Sequence, residues 1–356
     1  MHGLFLVWLV GERGFSPALV ATILAAGDLA IFALEVPTGW AADRLGHRAS
    51  LIAGSLVQVC GMLALWFASS AASLLTATLL VALGDAFRSG ADQALVYRTC
   101  VALGCEGAFQ SIEARTRAGG LVALVALLIA GGGIVARFGY DAAWLAEVTL
   151  SAMGAVLACA MVEPPGSTFA ETVSETFPEP VSEPVSEASA ADMPRAATGP
   201  FFGRRILSLV VPAAALGAMA NAAAFLAQTT GQSEAAGVTL LVAVITLVEA
   251  AGASLAGRVP RQGARIHGLL AAAGVAIVAL SCAAEALAVP GGLAFAAVGL
   301  AFLLGVIHPL RAAALQEAAA DGVRARVASL ASACDMACST LSLLASGAWR
   351  SRGGRG

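Results

Sequence analysis

The chain has 356 residues, of which 59% are hydrophobic and only 12% charged, where an ordinary soluble domain carries roughly 25% charged residues. At a mean hydropathy of +0.84 too few polar side chains remain to coat one or two water-soluble cores of ~150 residues, so a soluble globular protein is excluded and lipid is the solvent. The formal net charge of −3 hides an asymmetry: residues 163–200 hold seven acids and one arginine, Arg195, which leaves 16 acids and 19 arginines in the rest of the chain.

A membrane-spanning helix with its turn uses roughly 28 to 30 residues, so the ~315 residues outside that acidic stretch predict about eleven spans. The apolar runs are continuous, which predicts helices; a transmembrane barrel would show short alternating segments. The fold class expected is therefore an all-α polytopic membrane protein. In chain order the apolar segments are 4–10, 17–40, 49–70, 73–96, 118–136 and 142–162, then 206–227, 237–256, 266–289, 291–315 and 327–349. Ten are long enough to span. The first is not, and with only His2 ahead of it and no small-residue cleavage site it reads as half a helix rather than a signal peptide.

The stretch 163–200 places Glu at every fourth position from 171 to 187, but Pro178, Pro180 and Pro184 interrupt the pattern. Its hydrophobicity is too low to bury anything, so a disordered acidic linker is expected. That divides the chain into an N-terminal half (1–162, six segments), the linker (163–200) and a C-terminal half (201–356, five segments).

Arginines in alternate loops set the orientation. One side carries Arg44, Arg48, Arg98, Arg115, Arg117, Arg195, Arg204, Arg205, Arg258, Arg261, Arg265, Arg324 and Arg326, the other only Arg13 and Arg137. A cytoplasmic linker in a bacterial-type inner membrane follows. Arg350, Arg352 and Arg355 then fall on the outer side, from which we expect a twelfth, closing helix to be missing. All 20 basic residues are arginine, which reads as coding bias, and the seven scattered cysteines read as small core residues.

Between the second and third segments runs Gly39-Trp-Ala-Ala-Asp43-Arg44-Leu-Gly46-His-Arg48. Physically it is a very short connection. Gly39 lets helix ends approach, Gly46 permits a tight reversal, and Asp43, Arg44 and Arg48 are placed to bond neighbouring helix ends. The pattern Gly-x-x-x-Asp-Arg-x-Gly-x-Arg resembles the signature loop of the major facilitator superfamily. An internal echo agrees with the resemblance: Glu35, Gly39 and Arg44 recur as Glu249, Ala253 and Arg258, and Gly46 and Arg48 as Gly263 and Arg265, with Gly257 in the place of Asp43. The resemblance implies two parallel helical repeats around a central cavity, alternating access, and a latch formed by Gly39, Asp43, Arg44, Gly46 and Arg48. The fourth segment, with Gln93 and Arg98 where the family suggests acids, and the Gly119-Gly120 and Gly131-Gly132-Gly133 runs without proline, give no specific support to drug:proton antiport.

Charges within apolar segments need a reason, since each costs ~2.5 to 3.5 kcal/mol at mid-bilayer. Asp85, Arg88 and Asp92 fall at i, i+3 and i+7, on one face if the helix is continuous. Two readings stand beside each other: a patch on the substrate or proton path, or a self-neutralising network. Asp28 is expected to line the path and Glu35 to be structural. His308 and Arg311 share a face, with Asp335 on the next segment as the expected partner of Arg311 or, alternatively, as part of an anionic-substrate site. Glu147, Glu249 and Glu285 sit near helix ends and are assigned no role.

The reading as a whole is a secondary transporter of a small solute, monomeric and embedded in the bilayer, with proton-coupled efflux as one form. No enzyme chemistry, cofactor, metal or nucleic-acid partner is expected. The alternative is a non-transporting membrane remnant or scaffold.

Overall fold

In a computed structural model of the chain the residues described are 8–164, 204–230, 235–259, 264–287, 291–319 and 323–353. The beginning of the first apolar segment and nearly all of the acidic stretch, with Arg195, lie outside them, as do Arg261, Gly263 and Arg355. Ten helices account for every full-length apolar segment: α1 Pro17–Leu45, α2 His47–Trp66, α3 Ala71–Arg88, α4 Ala91–Ala102, α5 Phe109–Ala160, α6 Arg204–Thr230, α7 Ala235–Ala256, α8 Ala264–Ala286, α9 Gly292–Ala318 and α10 Arg324–Gly353. Seven helical stretches among the described residues are both long and apolar enough to cross a bilayer.

Local chemistry places the ends. Ser16 accepts from the Leu19 N–H with Pro17 at the first helical position, the arrangement that satisfies the free amides of a helix start. Ser70 and Ser73 close a reciprocal capping box on α3. One residue, Gly46 at φ 100°, both ends α1 and starts α2, a conformation that a side chain would strain. α5 holds two spans, 109–138 and 140–160, separated by non-helical Gly139.

Of the first apolar segment, 4–10, only the end is among the described residues: Trp8–Glu12 form one π-helical turn, with Trp8 packed edge-on against Trp144 at 4.9 Å and the Arg13 guanidinium over the Trp8 ring. The structure departs from the sequence reading at two places. The fourth apolar segment is not one helix: it breaks at Ser89 and at Gly90, φ 74°, between α3 and α4. And Glu163, read as the first linker residue, is fixed to the start of α2, accepting from the His47 and Arg48 backbone N–H groups at 3.1 and 2.5 Å.

Large apolar side chains cover the outside, among them Leu29, Ile129, Phe138 and Leu269, a surface compatible with lipid and not with water. Inside, one apolar cluster (Trp8, Leu9, Ile23, Leu65, Trp144) is made by the π turn with α1, α2, α3 and α5, of the first five helices. Another (Leu216, Leu300, Ile307) is made by α6 and α9, of the last five, with α7 and α8 packed against it. The clusters that join the two sets lie at the Gly46 end: Ala42, Ala91 and Leu95 with Ala325; Tyr97 and Phe109 with Ala312; Ala114 with Ala256 and Leu310. The sets are thus pinned together at that end.

Candidate functional site

The pin is built from the loop residues upward. Asp43 is 2% exposed and points its carboxylate at the start of α10, accepting from the backbone N–H of Ala325 at 3.0 Å and of Arg326 at 3.3 Å, and from Arg326 Nε at 3.0 Å. A carboxylate there satisfies free amides and meets the positive end of the helix dipole. The helices can come this close because Gly39 has no side chain: a Cβ would stand 2.9 Å from Ser329 Oγ and 3.1 Å from Arg326 Cα. Gly90 does the same from α4, where a Cβ would meet the Ala325 carbonyl at 2.9 Å. Ser329 Oγ donates to the Ser89 carbonyl exposed by the α3–α4 break. On the other side of the loop, buried His47 lies between Asp43 and Glu163, and Arg48 Nη2 donates to the Cys159 carbonyl at 2.7 Å.

The echo of the loop at the end of α7 packs on α5. It works by different chemistry. At Gly257, the position matching Asp43, a Cβ would lie 3.3 Å from Ala114 Cβ, so a side chain there would press on α5. The bonds run the other way: buried Gln110 of α5 donates from Nε2 to the carbonyls of Ala256 and Val259 at 2.7 and 2.8 Å. Further along α5, Arg117 pairs with Glu249 of α7 at 2.6 Å.

Above these contacts a cavity of about 160 Å³ lies between the two sets. α5 contributes Glu113 and Arg117, the α3–α4 break Ser89, Gly90 and Gln93, α9 His308 and Arg311, and α10 Ser332 and Asp335. Arg311 makes a two-pronged pair with Asp335 at 2.6 and 2.5 Å, with His308 Nδ1 3.3 Å from its Nη2. Gln93 Nε2 donates to Glu113 at 3.3 Å. No aromatic carbocycle lines it among the described residues.

Residues 1–343 match the family model of the Major Facilitator Superfamily. The chain belongs to that superfamily. Its members are transporters rather than enzymes, and the chain is an integral membrane protein of their fold. Among solved structures, the superfamily's proton:xylose symporter XylE, bound to 6-bromo-6-deoxy-D-glucose, is similar over 97% of this chain and 84% of its own, at 12% identity and a TM-score of 0.72. A variant of the E. coli fucose:proton symporter, FucP, is similar over 99% of this chain and 91% of its own, at 14% identity and a TM-score of 0.61. A comparison with curated protein sequences finds no match.

Within this superfamily frame the expected residues fall in three places. Gly39, Asp43, Gly46 and Arg48 make the contacts described. Arg44 does not bond a neighbouring helix end; it is exposed and stacks on Trp40 of its own helix at 4.0 Å. His308, Arg311 and Asp335 line the cavity between the sets.

Asp85, Arg88 and Asp92 do not share one helix face, because the break at Ser89 and Gly90 puts Asp92 on α4. Arg88 instead bonds Gln58 at 2.7 Å and lies 3.9 Å from Asp85. Asp85 faces a separate, mostly apolar cavity of about 370 Å³ among the first helices, lined also by Trp8, Met62, Tyr140, Trp144 and Glu147. Asp28 lines neither cavity.

Several residues escaped the sequence reading. Glu249, assigned no role, crosses to Arg117; Glu113, Arg117 and Gln110 were hidden by counting that region as a loop. The available signal was the i, i+4 placement of Glu113 and Arg117 ahead of the fifth apolar run. Among the described residues no group of three His, Cys, Asp or Glu is arranged to hold a metal.

Proposed function

We propose that the chain is a secondary active carrier that moves a small polar solute through the cavity between its two helical halves, 1–162 and 201–356, by alternating access coupled to protons. The observation that carries this reading is that cavity: it is lined from both halves, among its lining residues Arg117 pairs across the interface with Glu249, and it is polar in most of its lining. At about 160 Å³ it is smaller than the ~300 to 1,000 Å³ of sites for drug-sized ligands, which favours a compact solute over a lipid or a polycyclic drug. The apolar clusters that join the halves lie only at the signature-loop end, which supports an arrangement closed there. The arginine-rich loops make that end cytoplasmic by the positive-inside rule, with residues 163–200 as a cytoplasmic linker in a bacterial-type inner membrane. The similarity to proton:sugar symporters supports the coupling to protons.

The test is counterflow in reconstituted liposomes with xylose, fucose, small amino acids and short carboxylates, with internal pH followed in parallel. Accelerated exchange of one solute, with proton movement, is expected. Tight vesicles that pass none of them while retaining the folded protein would favour a non-transporting remnant.

A further inference from the structure

We propose that Cys100 and Cys105 form a two-sulfur site for a soft monovalent cation of the Cu(I) class at the signature-loop end. The site lies outside the inter-half cavity and stands whether or not the chain carries a solute.

A helix end builds the pair. On a continuing helix, side chains at this spacing would point about 140° apart. Instead α4 stops between them: the Leu103 N–H donates to the Thr99 carbonyl at 3.0 Å, the Gly104 N–H to that of Val101 at 2.9 Å and the Cys105 N–H to that of Cys100 at 2.8 Å. Gly104 is left-handed at φ 64°. In this closure the residue after the glycine folds back on the third-last residue of the helix, and their side chains touch. Here both are cysteines, and their side chains meet as hydrogen-bond partners.

The two sulfurs differ in their surroundings. Cys105 is half-buried on a turn whose neighbours Leu103, Gly104 and Glu106 are exposed, so an ion reaches it from the loop face. Cys100 is 3% exposed and packs with Tyr97, Phe109, Ala312 and Ala313 in an apolar cluster that Cys105 borders.

Among the described residues no third His, Cys, Asp or Glu completes a larger ligand set. Structural zinc requires four ligands, whereas thiolates select soft ions, of which Cu(I) is stable with two. Binding involves no electron transfer: two S–H bonds break, two S–Cu bonds form and two protons leave, giving a singly negative complex. The Arg324 guanidinium, stacked on the Tyr97 ring at 4.4 Å, supplies positive charge beside the cluster. On the orientation proposed above this face is cytoplasmic, where thiols stay reduced.

The experiment uses the full chain, reduced and reconstituted in nanodiscs under nitrogen, with Cu(I) supplied as its glutathione complex in excess glutathione. Bound copper is counted by atomic absorption and its ligands by X-ray absorption. A single Cu(I) on two sulfurs is expected to stay with each chain after the complex is removed, and Zn(II) offered in the same way to wash out. Cys100→Ser and Cys105→Ser are each expected to lose the ion. Cys334→Ser, which breaks the i, i+4 cysteine pair of α10, is expected to keep it. Gly104→Val retains both thiols but strains the left-handed turn, and is expected to bind about fivefold more weakly.

Cys105 lies on an exposed turn, so Cys105→Ser decides if Cys100→Ser fails to fold. Equal copper on the wild type and Cys105→Ser overturns the site, as do three or more protein ligands on the ion. A wild type that yields all its copper to glutathione overturns it as well.

Discussion

The carboxylate of Asp43 and the guanidinium of Arg326 meet at 3.0 Å across the junction of α1 and α10, while the same carboxylate accepts the first backbone amides of α10. One side chain thus caps a helix of the second set and neutralises its Arg326. On the alternating-access proposal, this N-cap is a contact that opening must break.

Asp43→Asn is expected to keep part of the cap and lose the charge. Full N-cap removal costs ~0.5 to 2 kcal/mol, about two- to thirtyfold in the open-to-closed ratio, and the part that Asn keeps brings the expected rise to about two- to tenfold, read by the distance between spin labels at Leu103 and Arg258. Membrane insertion stays normal. Arg44→Ala, whose guanidinium only stacks on Trp40, is expected to change that ratio little.

Gly39→Leu places side-chain carbons where Ser329 and the Arg326 backbone stand. The helix α1 itself tolerates leucine, so the protein accumulates in the membrane but cannot close at the loop end. The short-distance population is expected to vanish, and accelerated solute exchange with it.

The Arg311–Asp335 pair offers a double-mutant cycle. Removing one partner of a largely buried pair costs ~3 to 5 kcal/mol, whereas replacing both with apolar groups of similar size is close to neutral. Asp335→Leu is therefore expected to lower the thermal midpoint in detergent, followed by tryptophan fluorescence, and Arg311→Met with Asp335→Leu to recover most of the loss. Recovery of stability without recovery of solute exchange separates folding from function.

Gln110→Leu removes two hydrogen bonds to the α7 end at once. At a net ~0.5 to 1.5 kcal/mol for each bond, with two carbonyls left to find water, the closed-to-open ratio is expected to fall at least about fivefold. Gly257→Asp, which restores the residue of the first repeat, is expected to weaken this contact rather than mend it, because Ala114 and Ser111 occupy the space. The same label pair reads both variants.

How far the sequence reached depends on the kind of interaction. The number and placement of the helices, their lipid environment and the loop between α1 and α2 were legible, because continuous apolar runs and a run of glycine and charge at fixed spacing are local properties of the chain. The α3–α4 break was not, since the motif Ser89-Gly90 is tolerated inside an apolar helix and is broken here where Gly90 meets the Ala325 backbone. That break separated Asp92 from Arg88 and opened Ser89 to the second half. Nor could spacing along the chain tell that Glu249 reaches Arg117, or that Gln110 takes over at Gly257 the task that Asp43 performs in the first repeat. The sequence by itself determined a membrane protein of the superfamily, with the glycine and charge pattern of the loop between α1 and α2. Which charges face one cavity, and which pairs cross between the halves, was decided by tertiary packing alone, because those partners lie more than a hundred residues apart and meet only when the helices are assembled.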